Sequence, residues 1–98
     1  MELKKIQKDV YQNKLDKGFN VTNVEMEFCY LYGEVAEAYE AYRKKKDDLG
    51  EELADVAIYL MGLAEMLGFD LHDEIVNKMK KNKARQYKIV DGVRVRQQ

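Results

Sequence analysis

Residues 33–60 read GEVAEAYEAYRKKKDDLGEELADVAIYL, and two acidic pairs inside them decide the fold: Glu34 with Glu37, and Glu52 with Asp55. Side chains three apart on a helix have Cβ atoms roughly 5–6 Å apart, so each pair presents both carboxylates on one helix face. Between the pairs, Arg43-Lys44-Lys45-Lys46 places cations at the negative pole of one helix, and Asp47 or Asp48 caps the next. The pair midpoints, 35.5 and 53.5, lie equally far from 44.5, inside that turn. In an antiparallel helical hairpin each pair then stands about 13 Å from the turn, at 1.5 Å per residue. The pairs are level. From Ala54 to Ala64 the only charged side chain is Asp55, and Glu37 has the small residues Gly33 and Ala41 as same-face neighbours. Charge in apolar surroundings is unfavourable unless something offsets it, and four converging carboxylates call for a divalent cation.

Working outward, a first helix is expected from about Glu2 to Lys17, ending at Gly18, with a thin stripe of Leu3, Ile6, Val10 and Leu15. Thr22-Asn23-Val24-Glu25 reads as a capping box opening the second helix. Val24, Phe28, Leu31, Val35, Ala38 and Tyr42 follow at steps of four and three, one helical face, with Met26, Tyr30 and Gly33 beside it. Thirteen of the nineteen residues from Val24 to Tyr42 are apolar or tyrosine, so this helix is expected to be covered on more than one side. Leu49, Leu53, Val56, Leu60, Leu63 and Leu67 mark the third helix, closed by Gly68. Asp70 caps a fourth, with Leu71, Ile75 and Met79 inward and the pattern fading near Asn82. In the tail YKIVDGVRVRQQ, Asp91-Gly92 between β-prone runs predicts a short hairpin leaning on the helices or on another subunit. The expected fold is all-α: one domain over residues 1–98, a four-helix bundle-like unit with a short C-terminal β-hairpin.

Composition narrows the function. With 46% hydrophobic residues the chain is not disordered, and with 36% charged residues it has no apolar run long enough to span a membrane. The start, MELKKIQKDV, lacks a signal-peptide core, and the single Cys29 makes no internal disulfide, so a cytoplasmic setting is expected. Charge is segregated: +2 over residues 1–22, −10 over 23–75 and +7 over 76–98. An acidic middle with a basic end suits a metal plus a polyanion. All-oxygen ligands suit Mg²⁺ or Mn²⁺, whereas zinc wants His or Cys. A di-iron bundle would bring two Glu-x-x-His motifs, but His72 is the only histidine and reads as a surface residue. Cys29 reads as a small buried side chain with no histidine to activate it.

The Glu-x-x-Glu, short spacer and Glu-x-x-Asp, followed by an apolar helix, resemble the MazG-like all-α nucleoside triphosphate pyrophosphohydrolases. The likeness runs from GFNVTNVEMEFCYLYGEVAEAYEAYRKKK through LGEELADVAIYLMGLAEMLG to the end of the fourth helix. It implies a Mg²⁺-dependent enzyme, with Mn²⁺ as a substitute, that splits an NTP or dNTP into the monophosphate and pyrophosphate. On that likeness Glu34, Glu37, Glu52 and Asp55 are the metal ligands, and Glu37 is the candidate proton acceptor. The downstream pattern NKMKKNKARQY resembles the family's phosphate-binding residues at Lys78, Asn82 and Arg85, of which Lys78 and Asn82 share a helix face. Many members carry a further glutamate just before the first motif, where this chain has Gly33; one ion or two is left open. A homodimer or a dimer of dimers is expected, because the middle helices are apolar all round. Housecleaning of the nucleotide pool is a role this activity would serve. The alternatives are a dUTPase-like or phosphoribosyl-ATP-type pyrophosphohydrolase of the same superfamily, and a non-catalytic helical module whose basic tail binds nucleic acid. The −10 middle and the lack of a recognition motif count against nucleic acid as partner.

Overall fold

The structure is a computed structural model describing the backbone of residues 2–90 and 93–97 and the side chains of residues 2–85. Four helices carry it: α1 (Glu2–Lys17), α2 (Val24–Arg43), α3 (Leu49–Met66) and α4 (Leu71–Ala84). The first three helices end the same way. After α1, Phe19 N–H donates to Lys14 O and Gly18 N–H to Leu15 O. Lys46 and Lys45 repeat this on Ala41 and Tyr42, and Phe69 and Gly68 on Ala64 and Glu65. This closure needs a left-handed residue after the last turn. Gly18 and Gly68 supply it at φ 69 and 79, and Lys45 adopts it at φ 55.

Helix starts are set by short polar side chains. Asn23, not Thr22, is the N-cap of α2; its side chain accepts from Met26 N–H. Asn20 Oδ1 accepts from the N–H of both Thr22 and Asn23, so an asparagine loop replaces the expected capping box. Asp48 precedes α3 without a side-chain cap bond, whereas Asp70 caps α4 by accepting from Asp73 N–H.

Helix α3 is the centre, with α1 and α2 packed on it and α4 lying against α1 and α3. Gly62 is where α1 comes closest: a Cβ there would stand 3.3 Å from Lys14 Cδ. Among the described residues the buried apolar core of one chain is small, consisting of Ala38, Ala41, Leu63 and Ala64. The expected inward stripes are largely uncovered. Phe28, Val35 and Tyr42 on α2, Leu53, Leu60 and Leu67 on α3, and Ile75 and Met79 on α4 are all exposed. Periodicity reports that a face is apolar, not which chain covers it. Cys29, expected to be buried, is a free and exposed thiol. The accessible surface is 7744 Å², against roughly 5,800 Å² expected of a compact monomer of this mass. The radius of gyration, 16.6 Å, likewise exceeds the roughly 13 Å of a compact domain of this length.

Two short strands follow α4. The backbone of β1 (Gln86–Val90) pairs antiparallel with β2 (Val93–Gln97), Tyr87 opposite Arg96. The expected turn residues Asp91 and Gly92 lie outside the described residues, and a hairpin leaning on the helices is not supported. The helical unit is what positions the site. None of its helices is long and apolar enough to cross a membrane.

Candidate metal centre and adjoining cavity

Glu34 and Glu37 on α2 and Glu52 on α3 each offer a carboxylate oxygen within 4.8 Å of the others. Two helices joined by a short basic turn bring them level, and the i, i+3 spacing on α2 does the rest. Asp55 stands outside that tight group. It is exposed, and its side chain is one methylene shorter than glutamate. Its charge is still felt, since it is among the causes that push Glu34 and Glu52 upward.

The cluster is electrostatically unfinished. One oxygen each of Glu34 and Glu52 is buried with no hydrogen-bond partner. Loss of water raises the Glu34 carboxyl above its ordinary value first, followed by the charges of Glu37 and Asp55. Glu52 is raised for the same leading reason, then by Asp48 and Glu37, with Lys46 pulling the other way. Orphaned carboxylate oxygens facing one another fit a hard, oxygen-seeking cation. At position 33 an added Cβ would meet nothing within 4 Å, so the place where relatives resembling this chain carry another acid is open space.

Beside the carboxylates lies a cavity of about 610 Å³ between α1 and α2, floored by α3. Ile6 and Val10 of α1, Phe19 of the loop and Ile58 of α3 give it apolar walls. Tyr30 and Tyr59 join it to the carboxylates, one turn before Glu34 and one turn after Asp55. Their rings meet edge to face, centroids 6.2 Å apart at 67°. Burial raises the Tyr59 hydroxyl, and the negative charge of Glu34 raises it further.

Sequence reasoning missed a buried charge pair in this cavity. Lys14 of α1 donates to Glu27 Oε1 of α2, and both side chains are buried. Desolvation pulls the Lys14 ammonium below the ordinary lysine value. Lys14 Nζ also lies 5.9 Å from the Tyr59 ring centroid. Gln7, likewise buried, donates to Glu65 and to Phe69 O and accepts from Leu71 N–H, tying α1 to the α3–α4 turn. One signal was available. Gln7 to Lys14 and Glu27 to Glu34 are steps of seven, two turns on one face.

Lys78 and Asn82 are exposed on α4, and Arg85 Nη1 donates to Asn82 Oδ1 at 3.0 Å. These three residues belong neither to the carboxylate group nor to the cavity wall. His72, expected at the surface, is half-buried beside Asp73 at 3.1 Å.

The MazG-like family model matches residues 17–98. The chain belongs to the MazG-like family. Helices α2, α3 and α4 and the paired acidic motifs of this MazG-like chain lie within the matched span, while most of α1 precedes it. Membership places the chain with the nucleotide pyrophosphohydrolase superfamily. Searches among curated proteins and among solved structures return no match.

Proposed function

We propose that this MazG-like protein is a Mg²⁺-dependent pyrophosphohydrolase that cleaves an NTP or dNTP to the monophosphate and pyrophosphate. The observation that carries the reading is contiguity. Carboxylates with orphaned buried oxygens abut, through Tyr30 and Tyr59, an aromatic cavity large enough for a nucleobase. Glu34, Glu37, Glu52 and Asp55 would hold the cation, with Mn²⁺ as a substitute. Bound Mg²⁺ supplies neutralisation of the triphosphate charge and acidifies water near it. Glu37, the exposed member of the tight group, accepts the proton of the attacking water. Water oxygen bonds to phosphorus as the bond to the departing phosphate oxygen breaks. Lys78, Asn82 and Arg85 receive the phosphate charge.

The assembly proposed is a homodimer or a dimer of dimers. One chain leaves Phe28, Tyr32, Val35, Tyr39 and Tyr42 of α2 exposed, more apolar surface than a monomer of this size ordinarily shows. Light scattering at micromolar concentration is expected to give a multiple of 11.5 kDa; the monomer mass would overturn it. A cytoplasmic, reducing setting suits the free, exposed Cys29.

A panel of NTPs and dNTPs with Mg²⁺, read by pyrophosphate release, tests the activity. Absence of turnover on every nucleotide, together with unchanged metal binding in Glu37→Ala and Asp55→Ala, would overturn this function.

A further inference from the structure

Of the charged residues lining the cavity, Asp9, Lys14 and Glu27, the last has a buried oxygen without a partner. Glu27 is 2% exposed and stands in the cavity wall. Lys14 occupies its Oε1, while its Oε2 is buried with no hydrogen-bond partner. A buried acceptor left empty carries its full desolvation penalty, and the cavity lies beside this side chain.

The chemistry on offer is one-sided. Lysine has three donors and no acceptor. Here its ammonium serves Glu27 and sits over the face of Tyr59. The group this pair leaves for a ligand is therefore an acceptor, between aromatic and aliphatic walls that Asp9, Asn13 and Asn20 interrupt. A flat ring with an N–H-bearing edge fits it.

We propose that Glu27, fixed by Lys14, determines base specificity by accepting a hydrogen bond from an exocyclic amino group, so that cytosine is taken in preference to uracil. The proposal rests on the nucleotide reading above and names the class of base. Cytosine brings an amino group to the carboxylate oxygen. Uracil brings a carbonyl to the same point, lone pair against lone pair. The ring N–H of a uracil nucleotide lies between two carbonyls, so turning that edge to Glu27 brings their repulsion with it. A site built to bond a particular N–H discriminates strongly against an analogue lacking it.

The test uses the wild-type chain and Glu27→Gln. Wild type is expected to favour dCTP over dUTP in kcat/KM by about tenfold or more. In Glu27→Gln, Lys14 takes the amide oxygen and the amide NH₂ faces the cavity, so the preference falls or reverses toward dUTP. An unchanged ratio in a folded Glu27→Gln, or a wild-type enzyme indifferent to the two or favouring dUTP, overturns the proposal. A second measurement needs neither turnover nor the variant. Cytidine, uridine and the pyrimidinone nucleoside lacking the 4-amino group are titrated into wild type in EDTA, followed by NMR shifts. Binding tightest for cytidine and weakest for uridine supports the proposal, even if no triphosphate is hydrolysed. Equal affinities, tighter uridine or no binding of any of the three overturns it, even if the pyrophosphohydrolase activity stands.

Discussion

Among the described residues stand two acidic groups of similar look and opposite character. Glu34, Glu37 and Glu52 meet between α2 and α3; Asp70, His72 and Asp73 meet where α4 begins. In both, side-chain ligand atoms lie within 4.8 Å of one another. Around Asp70 and Asp73 every charge has an answer. Lys4 Nζ is 3.1 Å from each, Asp73 N–H caps onto Asp70, and His72 stands beside Asp73. Asp73 is held below the ordinary aspartate value by His72 and then Lys4. Burial pushes Asp70 up, but the hydrogen bonds from Asp73 N–H and Lys4 outweigh it, and the net direction is downward. Glu34 and Glu52 move the other way, with buried oxygens that nothing satisfies. Proximity of acids is therefore not what marks a cation site. The absence of compensation, seen in both the orphaned oxygens and the direction of the shifts, separates the two.

The largest expected difference is in turnover. Glu37→Gln keeps size and removes both a ligand charge and the proton acceptor, and pyrophosphate release should fall by about 10²–10⁴-fold. Asp73→Asn should stay within about twofold of wild type, because a partnered surface group contributes little. Equal losses in the two variants would erase the distinction. The next difference is in metal-linked stability. At a concentration 100 times its Kd, Mg²⁺ bound only by the folded state stabilises by about 2.7 kcal/mol, a rise of roughly 10 °C or more for a domain this small. Melting curves at fixed protein concentration should show that rise in wild type and in Asp70→Asn/Asp73→Asn, and lose it in Glu34→Gln/Glu52→Gln.

How much of this contrast was legible in the sequence depends on how local each cause is. Helix ends were readable because Gly18, Gly68 and Asp70 act within a few residues of themselves. The meeting of Glu34, Glu37 and Glu52 was readable because one turn and one helical repeat fix it. Asp55 was harder, since spacing ignores side-chain length. Phe28, Val35 and Tyr42 were read as one face of a covered helix, and the single chain leaves them exposed; a periodic stripe looks the same whether its cover is the same chain or another. The pairing of Lys14 with Glu27 went unread because it depends on how α1 and α2 straddle α3; the steps of seven mark a shared face but not the partner. Gln7 was missed for the same reason.

The smallest expected effects are in the acid limb of stability, where the two groups pull in opposite senses. In metal-free protein, Glu34 and Glu52 have folded values raised above 4.5. Between 4.5 and those raised values the folded state binds more protons than the unfolded one, so stability grows as pH falls through that window and is lost as pH rises. Asp70 and Asp73 have folded values lowered below 3.8. Their contribution is present above 3.8 and disappears as pH falls through the lowered values. Denaturant midpoints against pH should therefore rise on acidification from neutrality and then turn down. Glu34→Gln/Glu52→Gln should flatten the rise and leave the fall. Lys4→Met should do the reverse: without its ammonium, Asp70 and Asp73 move back toward 3.8, folded and unfolded states bind protons more nearly alike, and the downturn flattens while the rise stays. At neutral pH Lys4→Met should shift the melting temperature by no more than about two degrees, since exposed ion pairs are weak. A Lys4→Met variant that lost the acidic rise as well would mean the two groups are coupled through α1 and α3, and the contrast between them would no longer be local.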